Sequence, residues 1–151
     1  MNTATPKPHA KNLRTGRVSL PNQAYLITAV TASRLPVFSA FTTARTAVHC
    51  FYDQNVVRRA QTLAFVVMPD YIHWLLQLVG EGNLSETVRA YKAKVSLLLQ
   101  QRIWQRGFHD HALRADEDLH GVARYIVANP LRAGLVKTIG DYPHWDAIWL
   151  P

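Results

Sequence analysis

With 151 residues, the chain is long enough to fold as one domain around its own apolar core, without disulfide bonds or a structural metal. Hydrophobic residues make up 48% of it and charged residues 18%, a balance that excludes general disorder. Seventeen Lys and Arg against ten Asp and Glu give a net charge of +7, which favours a polyanionic partner such as nucleic acid.

The cysteine content and the apolar runs of the chain indicate its cellular compartment. Cys50 is the single cysteine, so an internal disulfide and a cysteine-rich zinc site are excluded, which fits a reducing compartment. No apolar run approaches the ~20 residues of a membrane span, and the N-terminal stretch lacks the apolar segment of a signal peptide. We therefore expect a soluble cytoplasmic protein without a membrane partner.

The N-terminal 17 residues differ from the rest of the chain. They mix Pro, Thr, Asn, Lys and Arg without periodicity, so residues 1–17 are predicted to form a flexible basic arm. The arm is either a solvated tail or a segment that becomes ordered on a nucleic acid backbone. The remaining residues, 18–151, are predicted to form a single domain.

The first half of that domain predicts a strand, a helix and a hairpin. The run AYLITAVT, from Ala24, is rich in β-branched and aromatic residues and predicts a strand. Residues 41–59 predict a helix that Thr42 or Thr43 caps. Two apolar runs, TLAFVVM and YIHWLLQLV, flank Pro69-Asp70 and predict an antiparallel hairpin.

The second half predicts two further helices and a short extended segment. A helix capped by Asn83 or Ser85 is expected to reach about Trp104, with an apolar stripe of Leu84, Val88, Tyr91, Val95 and Leu98. FHDHAL predicts a short strand or connection, and the last helix runs from about Asp116 to Asn129, where Pro130 ends it. The order β-α-β-β-α-β predicts an α+β fold with a ferredoxin-like antiparallel sheet and helices packed on one face.

Two polar groups of residues are candidates for a site. Tyr71 and His73 share one face of a strand, and Tyr125 and Asn129 share one face of a helix. If the helix packs on that strand, His73, Tyr125 and Asn129 converge. Imidazole and amide groups are acceptable ligands for Mg²⁺ or Mn²⁺, and a tyrosine can attack phosphorus. The alternatives are a histidine satisfied by a local hydrogen bond and a tyrosine that only packs.

A resemblance to a known family adds to this interpretation. MPDYIHWLLQL, WQRGFHDHALRADEDLHGVARYIVANPLRAGLV and GDYPHWDAIW resemble the REP-associated tyrosine transposases, which are HUH-class single-strand transposases of the Y1 type. The resemblance runs from about Leu13 to the C terminus. It implies cleavage and joining of single-stranded palindromic hairpins, with Mg²⁺ or Mn²⁺ at the phosphate and a 5′-phosphotyrosine intermediate. Tyr125 matches the nucleophile, and His73 and Asn129 match metal ligands.

Tyr71 departs from the family pattern, which has histidine at the first position of the His-U-His pair. A neutral phenol is a much poorer ligand than imidazole for a hard divalent cation, so metal affinity should fall. Three interpretations remain open. The chain is an active enzyme with a weakened or re-formed metal site, in which Tyr71 binds through water or Asp70 or His111 substitutes. It is instead a hairpin-binding protein with impaired catalysis, or Tyr71 is a second nucleophile.

Seven basic residues are candidates for contacts with DNA phosphates. They are Arg14, Arg17, Arg34, Arg89, Lys92, Lys94 and Arg132. No nucleotide cofactor is expected, because the covalent phosphotyrosine link would conserve the energy of the broken bond, and the absence of a Gly-rich phosphate-binding loop is consistent with this. A ribonuclease or an RNA-binding domain of the same fold is the rival prediction, although no RNP-type aromatic run is present. The sequence leaves open whether the chain is a monomer or a homodimer.

Overall fold

The computed structural model describes residues 23–80, 82–114 and 116–149. In this part of the chain five strands form one antiparallel sheet, in the order β4-β1-β3-β2-β5. The strands are β1 Ala24–Val30, β2 Ala60–Met68, β3 Tyr71–Leu78, β4 His109–Ala112 and β5 Trp145–Ala147. The α-helical segments are α1 Phe41–Cys50, α2 Gln54–Val57, α3 Leu84–Leu99, α4 Leu119–Val127 and α5 Asn129–Arg132.

The predicted basic arm, residues 1–17, lies outside the described residues. Its candidate DNA contacts, Arg14 and Arg17, therefore lie outside them too. No helix in the described ranges is both long enough and apolar enough to cross a membrane.

The central hairpin forms as predicted and fixes which side chains share a face. β2 and β3 pair from Ala60↔Leu78 to Met68↔Tyr71, so Pro69-Asp70 is the turn. Because side chains alternate along a strand, Tyr71 and His73 project from the face opposite to Ile72. β1 lies on the other side of β3, and Thr28 of β1 is directly opposite His73.

The sheet has an apolar core on each face. On one face, α1, α2 and α3 cover the sheet, and Phe51 stacks on Phe65 and Tyr91 with ring centroids 4.2 Å and 4.3 Å apart. On the other face, Ala123 and Ile126 of α4 pack in a second cluster with residues of β2 and β3. Between them, these two clusters bury β2 from Leu63 to Met68 and most residues of β3.

The α+β class and the ferredoxin-like antiparallel sheet are confirmed, but the prediction that the helices pack on one face is wrong. The reason is visible in β2, where every residue from Leu63 to Met68 is buried. A strand that is apolar at consecutive positions needs cover on both faces, and an alternating strand does not. α4 supplies the second cover.

The first predicted helix, residues 41–59, is two helices. α1 ends at Cys50, and α2 starts after Asp53, whose carboxylate accepts a hydrogen bond from the Asn55 backbone N–H at 3.1 Å. Thr42 and Thr43 do not cap α1, which starts after Ala40. The Thr43 hydroxyl instead donates to the Val37 carbonyl at 2.6 Å.

The second predicted helix starts where expected and ends early. Asn83 caps α3, and its side-chain oxygen accepts a hydrogen bond from the Glu86 backbone N–H at 3.1 Å. The helix ends at Leu99 because Gln100 takes a left-handed conformation with φ 58°. Leu98 is 52% exposed and therefore does not extend the buried stripe.

The last helix is interrupted before Pro130. α4 ends at Val127, and α5 starts at Asn129 with Pro130 in its first turn. Pro130 has no backbone N–H, so the hydrogen-bond ladder of α4 cannot continue through it. Tyr125 and Asn129 therefore belong to two consecutive helical segments.

His144 ties the chain to the sheet just before β5. Its backbone carbonyl accepts a hydrogen bond from Val67 at 2.8 Å, and its ring lies between Phe41 and Tyr142, with centroids 5.4 Å and 5.3 Å away. The side chain is 6% exposed, and its Nδ1 has no hydrogen-bond partner among the described residues. Burial, followed by the positive charge of Arg45, lowers the pKa of His144.

We expect His144→Phe to stabilise the protein, and more so at acid pH. The folded protein resists protonating His144, whereas the unfolded chain takes up the proton near pH 6.5, so His144 lowers the free energy of unfolding as pH falls through that value. Removing the unpaired nitrogen should add about 1 kcal/mol at pH 7. Urea denaturation at pH 7 and pH 5 measures this, and a gain no larger at pH 5 would contradict it.

Candidate active site on the α4 face of the sheet

Four polar side chains meet where β3 passes under the junction of α4 and α5. The Tyr71 hydroxyl donates a hydrogen bond to Asn129 Oδ1 at 2.5 Å. The ring centroid of His73 lies 5.0 Å from that of Tyr71 and 6.3 Å from that of Tyr125. The structure therefore brings together the four residues that sequence reasoning grouped, and their chemical roles stay predictions.

His73 is oriented by β1. Its Nδ1 lies 2.8 Å from the Thr28 hydroxyl oxygen, across the pair of strands. Burial, with a smaller effect of the Arg132 charge, lowers the pKa of His73 to about 4. The imidazole is therefore neutral at pH 7. When Nδ1 donates to Thr28, Nε2 keeps the lone pair that a ligand to a cation needs.

Asn129 is held by Tyr71. Asn129 is 7% exposed, and its side-chain oxygen, Oδ1, accepts a hydrogen bond from the Tyr71 hydroxyl in place of water. Burial raises the pKa of Tyr71, and the charges of Asp70 and Tyr125 add to the effect, while Arg34 and Arg132 oppose it. Tyr71 is thus a protonated donor at neutral pH.

Tyr125 is the exposed member of the group. Its side chain is 52% exposed on α4. The Arg132 guanidinium carbon lies 3.9 Å from the Tyr125 ring centroid, and Arg132 Nη2 donates to the Tyr125 carbonyl at 2.9 Å. Both contacts restrict where the phenol ring can point.

A second guanidinium lies beside Tyr71. Arg34 forms an ion pair with Asp70 at 2.8 Å, and its guanidinium carbon is 5.6 Å from the Tyr71 ring centroid. Each tyrosine of the site therefore has an arginine against its ring. Positive charge at this end of the sheet suits a phosphate backbone.

Two residues of the group, His73 and Asn129, are of a chemical type that suits a divalent cation, and in this structure the Asn129 oxygen accepts the Tyr71 hydrogen bond. A neutral imidazole and an amide oxygen suit Mg²⁺ or Mn²⁺, and these ions keep several waters. Across the described ranges, no group of three or more His, Cys, Asp or Glu could hold a metal. The possible substitutes are engaged elsewhere: Asp70 pairs with Arg34, and His111 lies 3.2 Å from Glu117.

The remaining basic candidates are remote from Tyr125. Lys94 pairs with Asp53 at 3.5 Å, and Lys92 donates to the carbonyls of Gln105 and Gly107. Arg89 and Lys92 line a groove of about 340 Å³ beside Trp104, on the α3 side of the sheet. Of the basic candidates within the described ranges, Arg34 and Arg132 lie at the site.

Sequence reasoning missed Thr28, which orients His73. The strand AYLITAVT was predicted, but its register against β3 was not, and only that register places Thr28 opposite His73. The signal that could have found it is a polar residue in the middle of an otherwise apolar strand.

We expect Thr28 and His73 to be energetically coupled. Thr28→Val and His73→Phe each remove one partner of the hydrogen bond, so the double variant should lose about 1 kcal/mol less than the sum of the single losses. Urea denaturation of all four proteins measures this coupling. Strict additivity would show that the bond does not hold His73 in place.

Comparisons with known proteins find relatives in sequence and in fold. The chain is 29% identical over 100 residues to a Haemophilus influenzae protein named as a REP-associated tyrosine transposase, a match covering 56% of this chain and 57% of the relative. It is 33% identical over 82 residues to the REP-associated tyrosine transposase of Escherichia coli, covering 53% and 50%. The matched regions thus span about half the length of these curated relatives. No protein-family model matches the chain.

A solved structure shares the fold. That structure is of a REP-associated tyrosine transposase bound to a REP hairpin. It superposes on this chain with a TM-score of 0.69 at 24% identity, and the match covers 85% of this chain and 79% of the neighbour. The curated relatives share sequence and the solved structure shares the sheet and helices. The chain is thus similar in part of its sequence to curated REP-associated tyrosine transposases and similar in fold to a solved one.

Proposed function

We propose that the chain binds single-stranded DNA folded into palindromic, REP-like hairpins and that Tyr125 cuts and rejoins the strand. The observation that carries the proposal is the placement of Tyr125, half exposed, fixed by Arg132 and next to His73. The two curated relatives are named transposases, and the protein with the shared fold is bound to a REP hairpin, which supports the choice of partner.

The chemistry is a transfer of a phosphodiester to tyrosine. The Tyr125 oxygen attacks phosphorus, a new O–P bond forms, and the bond from phosphorus to the 3′ oxygen breaks. The phenol gives up its proton as it attacks, and the 3′ oxygen leaves and takes up a proton, giving a free 3′-OH and a 5′-phosphotyrosine. Attack by a 3′-OH on that phosphotyrosine reverses the step, so joining needs no nucleotide cofactor.

Residues around Tyr125 have distinct parts in this proposal. Arg132 holds the ring and attracts the phosphate, and Thr28 keeps the neutral His73 imidazole oriented. His73 and Asn129 would hold Mg²⁺ or Mn²⁺. Such a cation supplies charge stabilisation at the phosphate oxygens.

A second candidate function is hairpin binding without efficient cleavage. The hydrogen bond from Tyr71 to Asn129 favours it, because that bond occupies one of the two protein ligands expected for the cation. DNA binding through Arg34 and Arg132 would be retained in that case. The two candidates differ in one observable, a covalent bond between protein and DNA.

We expect the unaltered protein to form a covalent adduct with a labelled single-stranded hairpin oligonucleotide in Mn²⁺ and Tyr125→Phe to form none, because only the hydroxyl can attack phosphorus. Denaturing gel electrophoresis detects the adduct. Tyr52→Phe is the matched control, since Tyr52 is 51% exposed and bonds to Asp146 away from the site. An adduct that survives in Tyr125→Phe would refute the assigned nucleophile, and hairpin binding without any adduct would favour the second candidate.

Removing a guanidinium at the site should also weaken the salt dependence of hairpin binding. Each lost phosphate contact lowers the slope of log K against log salt by about 0.7 for single-stranded DNA. We expect this for Arg34→Ala and Arg132→Ala in a titration of fluorescent hairpin at several salt concentrations. Arg58→Ala removes the same charge at the end of α2, on the other face of the sheet, and should leave the slope unchanged. Equal slopes for all three variants would place the DNA elsewhere.

A further inference from the structure

We propose that Tyr71 closes the cation site: its ring lies against His73 and its hydroxyl bonds to Asn129 Oδ1, so a cation reaches both expected ligands only by displacing the phenol and this hydrogen bond. We call the bond the Tyr71 cap. The inference rests on the proposed function for its biological meaning, because the cation is the one that phosphodiester transfer would use. It concerns a residue of this chain where the family pattern has a histidine.

The cap is strong for three structural reasons. The donor and acceptor oxygens are 2.5 Å apart, and Asn129 is 7% exposed, so water has little access to replace the phenol. The Tyr71 ring is also enclosed, with His73 against one part of it and the Arg34 guanidinium against another. The hydroxyl therefore cannot swing away without breaking several contacts together.

The hypothesis of a cap and the hypothesis of a missing ligand predict different changes in cation affinity. If Tyr71 only fails to bind the cation, replacing it with another non-ligand leaves cation affinity unchanged or lower. If Tyr71 caps Asn129, removing the hydroxyl frees the oxygen and raises affinity. Tyr71→Phe separates the two cases, because phenylalanine keeps the ring and cannot bind either the cation or Asn129.

The experiment measures binding of Mn²⁺ alone to the purified full chain, without DNA, by electron paramagnetic resonance of the free ion. We expect Tyr71→Phe to bind Mn²⁺ roughly three- to tenfold more tightly than the unaltered protein, which is the range for one net hydrogen bond. Tyr71→His should bind more tightly still, because it adds an imidazole ligand. Adding His73→Ala to Tyr71→Phe should abolish the gain.

Tyr142→Phe is the matched control. It also removes a half-buried phenol hydroxyl from the same face of the sheet, but that hydroxyl donates to the Val67 carbonyl and not to Asn129. Its Mn²⁺ affinity should equal that of the unaltered protein. An increase as large as that of Tyr71→Phe would overturn the proposal, since it would show a general loosening.

Tyr71→Phe binding Mn²⁺ no more tightly than the unaltered protein would also overturn the proposal. If thermal melting shows that Tyr71→Phe does not fold, Tyr71→Met gives the same comparison, because it too removes the hydroxyl. The outcome is independent of the proposed function. Failure of the covalent adduct assay refutes cleavage without changing Mn²⁺ affinity, and unchanged affinity refutes the cap without affecting the adduct.

Discussion

The packing of α4 on the second face of the sheet is the interaction on which the site depends. β2 is apolar on both sides, so the sheet must be covered twice, and Ile126 and Ala123 of α4 provide the second cover. That contact places Tyr125, one residue before the buried Ile126, at the rim of the same face that carries His73. The break before Pro130 then turns the chain so that Asn129 lies over Tyr71. A core-packing requirement thus positions the side chains of the candidate site.

The electrostatics of the site favour a phosphate more than a free cation. Two guanidiniums lie against the two tyrosine rings, and burial keeps His73 neutral by lowering its pKa to about 4. Asp70 is the acidic residue next to the group, and it is already paired with Arg34. In the proposed function, DNA affinity would therefore depend on Arg34 and Arg132, and cation affinity on His73 and Asn129. A change such as Tyr71 in place of histidine would then weaken cation binding and leave DNA binding intact.

Much of this arrangement could be predicted from local patterns. Strand alternation placed Tyr71 and His73 together, and helical spacing related Tyr125 to Asn129. The sequence also predicted the hairpin at Pro69-Asp70 and the α+β class. The sequence analysis did not predict that helices cover both faces of the sheet, although the unbroken apolar run of β2 indicates it. Thr28 could have been noticed as a polar residue within an apolar strand, but its pairing with His73 and the Tyr71 cap could not be predicted, because each depends on register or packing between segments more than 40 residues apart.

The central claim is that Tyr125 is the residue that becomes joined to DNA. The most direct test is to digest the protein after reaction with the hairpin oligonucleotide in high Mn²⁺ and to locate the attached nucleotide by mass spectrometry, in both the unaltered chain and Tyr71→His. We expect the nucleotide on the peptide that contains Tyr125, through a 5′ phosphate, with a larger yield in Tyr71→His. Attachment at Tyr71 or at another residue, or no attachment in either protein despite hairpin binding, would contradict the account.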